Sequence, residues 1–447
     1  MTRYDLAYLA LSPIAVPIIL YRRIAYGKYR QSLPGMFGKH WSGRDSDKWS
    51  QGSVWVHAVS VGECVAAKAL IPKLKAHFSD YPFVLTTVTE TGQETAKKLF
   101  SNHVDEITYY PADFSWVVGC FLAHYRPRLF VIMETELWPN AIEAASQHGC
   151  QVVLANGRIS EKSFASYRRL RRFFKRPLEQ IRAFCMQTSG DAERIIAIGA
   201  PRERVFVTGN CKFDVSYAHP SPERLEELKT LLRIDPARPV IVAGSTHPGE
   251  EEILLAALRK LKESGHPVQL ILVPRHPERF AAVWRDLGLS GFSALRLSTG
   301  ELVTADQSAT QTGPPDVILV DKMGMLAELY CLASIAVVAG SFVPGIGGHN
   351  LLEAAVHGVP VVYGPYMDKQ PELTRILSPA NGGVVVDAEH LAETLMSLLQ
   401  DPEKRRKLGE QAKAAALSQQ GAADRTMEII KDVCWQAAIV RVCSAEA

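Results

Sequence analysis

Short apolar runs and longer mixed runs alternate along almost the whole chain. In the first half Val54–Val59, Phe83–Val88, Leu129–Met133, Val152–Ala155, Ala183–Gln187 and Val205–Thr208 read as strands, with helical stretches between them. Thr91-Gly92-Gln93-Glu94 has capping-box spacing and predicts a helix start at that point. The second half repeats the alternation with Val240–Ala243, Leu270–Val273, Val317–Val320, Ile335–Ala339, Val359–Tyr363 and Val384–Val386. Strands separated by helices predict parallel sheets covered on both faces, and two such series predict two doubly wound α/β domains. The charged, proline-containing stretch Ser216–Arg233 suits a linker between them. From Asp401 the pattern is helical throughout, with Lys404, Arg405, Arg406 and Lys407 on solvated surface.

The first residues break the alternation. Tyr4 to Tyr21 is almost wholly apolar, interrupted by Asp5, Pro13 and Pro17 and followed by Arg22, Arg23, Lys28 and Arg30. As a helix it measures about 27 Å, marginal for a hydrocarbon core of about 30 Å. A secretory signal carries its positive charge before the apolar run, and here the charge follows it. By the positive-inside rule the remainder stays in the cytoplasm. The pattern predicts an anchor or monotopic membrane helix over 1–30, the alternative being a helix packed on the protein itself. The plan is then a first Rossmann-like domain over 31–215, a second over 216–420 and a helical tail over 421–447. Ser166–Arg176 reads as one basic helix with Arg168, Arg172 and Lys175 along one side. Such a face suits an anionic membrane, at about 1 kcal/mol per well-placed cation, or is simply solvated.

Composition changes this picture little. The chain has 447 residues, 47% hydrophobic and 22% charged, which is ordinary for a protein that buries sizeable cores. A net charge of +3 is too small for this length to argue for nucleic acid. The eight cysteines form no CxxC pair, and several lie in strand-like runs such as Phe184-Cys185-Met186. They read as reduced thiols of a cytosolic protein.

Ligands of open parallel sheets bind at the carboxyl ends of the strands, and that rule selects the candidate chemistry. The first strand ends in His57-Ala58-Val59-Ser60-Val61-Gly62-Glu63. Glu63 falls in the first turn of a helix, where the macrodipole favours an ionised carboxylate, so it is a candidate general base or a plain helix cap. Ser60 offers a nucleophile elbow as a rival, although A-x-S-x-G is not G-x-S-x-G. Glu134 and Glu136 follow the strand ending at Met133, and Lys212 lies in Asn210–Asp214, which closes the first domain.

In the second domain, backbone amides after Gly244-Ser245-Thr246-His247 are expected to meet a phosphate. Arg275, between Pro274 and His276-Pro277, suits bidentate phosphate recognition or a salt bridge to Glu250–Glu252. Gly347-Gly348-His349-Asn350 opens a helix in which Glu353 accepts ribose hydroxyls or caps. No G-x-G-x-x-G follows the first strand and no P-loop exists, which disfavours nicotinamide and P-loop chemistry. Asp45-Ser46-Asp47 matches D-x-D but lies in the polar stretch before the first strand, and reads as loop.

Taken in order, these strings resemble the family of transferases that attach 3-deoxy-D-manno-octulosonic acid (Kdo) to the lipid A precursor. His57–Glu63, Met133–Asn140, Asn156–Ser160, Val207–Asp214, Ser245–Glu251, Leu272–Phe280, Met323-Gly324 and Gly347–Glu353 all match family motifs. The resemblance implies a GT-B fold, two Rossmann-like domains facing a cleft, and inverting transfer of Kdo from CMP-Kdo to a glucosamine hydroxyl of lipid IVA, then onto the first Kdo. It implies Glu63 as general base, Glu134 and Lys212 as transition-state stabilisers, and Pro274, Arg275, Met323, Gly324, Met325, Asn350, Leu351, Leu352 and Glu353 as CMP contacts. It implies no metal or other cofactor. The implied partners are CMP-Kdo, the lipid A precursor and the anionic cytoplasmic face of the inner membrane. Three departures stand out: Gly157 for a common alanine, Met325 for a common glutamate, and a Ser341–Ile346 loop one residue longer that lacks an arginine, as in chlamydia-type members.

Overall fold

The computed structural model describes residues 1–26, 29–39, 41, 47–214, 220–303 and 313–445, without the side chains of residues 22 and 435–445. Lys28, Asp45, Ser46 and the start of the linker at 216–219 lie outside the described residues. The chain divides into two compact units: Met1–Val215 with Gln419–Ala447, and Ser216–Ser418.

The first unit holds seven strands: β1 (Ser53–His57), β2 (Phe83–Thr87), β3 (Glu106–Tyr109), β4 (Pro127–Met133), β5 (Gln151–Gly157), β6 (Ile181–Met186) and β7 (Val205–Val207). They pair in parallel in the order β3-β2-β1-β4-β5-β6-β7. The inner strands are continuous Val/Ile/Leu runs because helices cover both faces. On one face Trp55 stacks on Phe130 at 3.6 Å between centroids, beside Phe121, Tyr110 and Phe184. On the other, Val56, Leu85 and Val131 meet Leu70, Ile71, Met427 and Ile430. β3 escaped the sequence pattern because Glu-Ile-Thr-Tyr is short, starts with a charge and lies at the sheet edge.

The second unit holds β8 (Val240–Thr246), β9 (Gln269–Pro274), β10 (Ala294–Arg296), β11 (Leu302–Val303), β12 (Val317–Leu319), β13 (Ile335–Val338), β14 (Val361–Tyr363) and β15 (Gly383–Val385). Their order is β11-β10-β12-β9-β8-β13-β14-β15, parallel except for the antiparallel edge strand β11. Each sheet has one point where successive strands change side, between β1 and β4 and between β8 and β13. Crevices for ligands open there.

Two local expectations are corrected. The helix Glu90–Phe100 is capped by Thr89, whose extended backbone lets its hydroxyl accept from the Gly92 N–H, so Thr91 lies inside the helix. The basic stretch is two helices, Glu161–Arg169 and Arg171–Gln180, broken at Leu170. The break turns Phe174 into the core, so Arg168 and the Arg172/Lys175 pair sit on different elements. The tail is helical, as the pattern predicts. Its last helix, Ala422–Ala445, returns to the first unit, where Asp214 caps it by accepting from the Ala422 and Ala423 N–H groups.

Helix Arg3–Tyr26 is the one described helix long and apolar enough to cross a membrane. Leu6, Leu11, Ile14, Val16, Ile18, Leu20 and Ile24 are exposed along it, whereas Tyr4 and Asp5 are buried.

Candidate functional site

In the first unit the switch point gathers three carboxylates and one ammonium. β1 delivers the chain to Ser60, the N-cap of helix Val61–His77, so Glu63 stands at its third helical position. Its side chain folds back: Oε2 accepts from the Val59 N–H at 2.5 Å and Oε1 from the Ser60 hydroxyl at 3.3 Å. Only 6% of Glu63 is exposed. Burial pushes its pKa up to about 8, with the charges of Glu136 and Glu134 adding to the rise against the Val59 bond. The macrodipole therefore does not decide the ionisation of Glu63; desolvation does.

β4 ends at Met133, and Glu134 follows in the left-handed region at φ 56°, a conformation that non-glycine residues seldom adopt. Its N–H donates to the Ala155 carbonyl at 2.9 Å, and this fixes the bend. Lys212, in the short 3-10 helix Cys211–Phe213, donates to Glu134 Oε1 at 2.7 Å. The ammonium also lies 3.8 Å from where a Cβ on Gly62 would stand, over the start of the Glu63 helix. Burial and the neighbouring Glu134 raise Glu136 to about 7. Glu136 is in turn one of the charges that raise Glu63. Glu136 was visible in the sequence as half of a carboxylate pair, but its role depends on a burial that no motif states.

Beneath this group lies His57, wholly buried, its ring 4.0 Å from that of Tyr110 and its pKa pushed down to about 3 by burial. Its Nδ1 contacts Thr86 instead of Ser60, so the nucleophile-elbow reading of Ser60 gains no histidine here. Gly157 is required by close packing, since a Cβ there would meet Leu154 and Met186 side chains within 3 Å.

The second switch point is arranged differently. Of the amides expected to meet a phosphate at the Gly244–His247 turn, that of His247 is already bonded. The buried carboxylate of Glu250 accepts from the N–H groups of His247 at 2.9 Å, Gly340 at 2.7 Å, and Ser341 and Phe342 at 3.0 Å. Glu251 is engaged by a bidentate pair from Arg279 at 2.8 and 2.9 Å. Arg275 therefore forms no pair with this acidic run, and its side chain is exposed at the end of β9 after the buried Pro274.

His247 and His349 share a hydrogen bond, Nε2 to Nε2, at 2.9 Å, with rings stacked at 12°. Burial, then the charges of His247 and Arg275, hold His349 down to about 4. Glu353, in helix Leu352–Ala355, is raised by burial and lowered by Arg275, so the arginine and the carboxylate are neighbours. Asn350 Oδ1 accepts from the Leu352 N–H, while Leu351 and Leu352 are core side chains that offer a ligand only their backbone. Met323 is exposed, Gly324 takes φ +86°, and Met325 begins helix Leu326–Tyr330, which packs on the Glu353 helix. Among the described residues no group of three or more His, Cys, Asp or Glu is arranged to hold a metal.

Comparison with known proteins follows the same division. Residues 31–215 match the family described as 3-deoxy-D-manno-octulosonic-acid transferase (kdotransferase), and residues 251–415 match glycosyl transferases group 1. A 3-deoxy-D-manno-octulosonic acid transferase of Haemophilus influenzae is 34% identical over 95% of this chain and 97% of its own length. The transferase of the same name from Bordetella pertussis is 31% identical over 96% of this chain and 98% of its own. Among solved structures, UDP-GlcNAc 2-epimerase of Neisseria meningitidis superposes on 85% of this chain and all of its own with TM-score 0.55. At 15% identity this likeness concerns the fold alone.

Proposed function

The chain belongs to the family of 3-deoxy-D-manno-octulosonic acid (Kdo) transferases, and on that premise we propose that it transfers Kdo from CMP-Kdo to a glucosamine hydroxyl of the lipid A precursor, lipid IVA, and then onto the first Kdo. It is a glycosyltransferase of GT-B fold. The observation that carries the reading is the buried Glu63 carboxylate beside Glu134, Glu136 and the Lys212 ammonium.

A carboxylate with a pKa near 8 is a strong enough base to take the proton of an alcohol as its oxygen attacks the anomeric carbon. The bond from that carbon to the CMP phosphate breaks with both electrons going to the phosphate, and the configuration inverts. Lys212 with Glu134 stabilises charge around the acceptor. Arg275 and the backbone of Asn350–Leu352 hold the phosphate and nucleoside of the donor, Glu353 takes the ribose, and Met323–Met325 completes the donor contacts. These cations and dipoles serve a leaving group with a single phosphate without a metal, and excess EDTA is expected to leave the rate unchanged.

The exposed apolar residues of helix Arg3–Tyr26, with Arg22, Arg23, Lys28 and Arg30 at and after its end in the sequence, support a seat on the cytoplasmic face of the inner membrane. Incubation of the detergent-solubilised protein with CMP-Kdo and tetraacylated lipid A precursor, read by mass spectrometry, is the direct test. A lipid heavier by one or more Kdo units is expected. Release of CMP with no change in the lipid would overturn the acceptor assignment.

A further inference from the structure

The apolar helix at the N-terminus is not apolar at its start, and its polar start is tied to Asp113, Ser115 and the helix Pro139–Gln147 that follows the loop carrying Glu134. Asp5, fully buried, accepts four hydrogen bonds: from the Thr2 N–H at 2.7 Å, the Ser115 N–H at 2.9 Å, the Ser115 hydroxyl at 2.6 Å and the Asn140 side-chain amide at 3.0 Å. Asn140 is tied a second time, because its Oδ1 accepts from the Thr2 hydroxyl at 2.6 Å. One turn on, the Tyr8 hydroxyl donates to Asp113 at 2.8 Å. The same Asp113 carboxylate accepts from the N–H groups of Asn140 at 3.1 Å and Ala141 at 2.8 Å. Helix Pro139–Gln147 has no side-chain cap of its own, since Trp138 stands at its N-cap, so Asp113 supplies the cap from another element. Tyr4 adds a bond to Glu143 at 2.5 Å in the same helix.

The segment Glu134–Trp138 is thus strung between two fixed points. At one end are the left-handed Glu134 and its Lys212 partner; at the other is the helix start held by Asp113, Asn140 and Asp5. We propose that Asp5 and Tyr8 are positioning residues for the reaction: the first two turns of the anchor helix clamp the acceptor-side loop, so that the element seated in the membrane also sets the placement of Glu134 and Glu136. The clamp explains why Asp5 and Tyr8, at spacing i, i+3 and so on one side, interrupt an otherwise apolar helix. It also keeps the N-terminus on the same side of the bilayer as the first unit, since a helix that crossed would carry Thr2 and Asp5 away from Ser115 and Asn140.

The proposal rests on the reading that the loop at 134–138 serves the acceptor, and the experiment separates the two. Full-length wild-type, Asp5→Ala, Tyr8→Phe and Glu134→Gln proteins are assayed on phosphatidylethanolamine/phosphatidylglycerol vesicles that contain the tetraacylated precursor. Flotation and CMP binding are measured on the same preparations. Asp5→Ala is expected to lower kcat at least 10-fold and the single-hydroxyl variant Tyr8→Phe about 3-fold. Flotation, CMP affinity and the KM for CMP-Kdo are expected within about twofold of wild type. Hydrogen exchange at Asn140 and Ala141 is expected to accelerate, with the strand amides of β1 and β4 unchanged. Wild-type kcat in both anchor variants, with Glu134→Gln impaired, overturns the clamp and leaves the acceptor assignment standing. A rate loss that only tracks loss of flotation overturns it too, as plain anchoring. Wild-type turnover in Glu134→Gln removes the reading on which the clamp depends.

Discussion

Burial raises the pKa of a carboxylate at both switch points, but the one at β1–β4 is held by a single N–H and a hydroxyl, whereas the one at β8–β13 accepts four N–H bonds. Glu63 and Glu250 both follow the first strand of a Rossmann-like unit, both near the start of a helix. Glu250 fills the anion slot of its own sheet and is a structural tie. Glu63 is held by the Val59 N–H and the Ser60 hydroxyl, crowded by Glu134 and Glu136, and poised to exchange a proton. The number of donors that the surrounding loops aim at a carboxylate separates a reactive group from a scaffold.

The comparison breaks most sharply at Glu63. Replacing it by glutamine is expected to lower kcat by about 10²- to 10⁴-fold, the usual worth of a general base, with CMP affinity unchanged by calorimetry. Equal turnover would make Glu63 a cap and nothing more. Glu250→Ala leaves four buried N–H groups without a partner and is expected to cost more than about 3 kcal/mol, read as a lower denaturation midpoint with CMP-bound protein as reference. Arg275→Ala removes a charge-assisted contact of about 1.5–3 kcal/mol, so CMP should bind about 10- to 100-fold more weakly while bound donor reacts at a near-normal rate.

The smallest effect is the most diagnostic. Because the base form of Glu63 is the active one and its pKa lies near 8, kcat/KM should rise with pH and level off above about 8. Glu136→Gln removes a negative neighbour that raises Glu63, so the rising limb should move to lower pH. A limb that stays in place would assign the titration elsewhere.

Much of this was legible in one dimension. Both series of long apolar strands, the lobe change near residue 216, the apolar first helix and the strand-end positions of Glu63, Glu134 and Arg275 follow from runs and spacing, because a fully covered parallel strand must be apolar along its length. What spacing concealed was partnership. Thr91 has the capping-box spacing, yet Thr89, where the backbone is extended, is the cap. Ser166–Arg176 has helical composition throughout, yet the inward pull on Phe174 breaks it at Leu170. Asp214 gives no hint in sequence that it caps a helix starting at Ala422.

The amino-acid order by itself determined the long apolar strands, where the chain changes lobe and which side chains follow their tips, but not the short strands β3, β10 and β11, since local periodicity needs length to show. The folded chain alone decided which tips are buried, which carboxylate binds the Lys212 ammonium, and that Asp5 binds Asn140 at the start of helix Pro139–Gln147. Burial and hydrogen bonding are relations between residues distant in sequence. A buried charge takes its proton affinity from whatever the rest of the fold places around it.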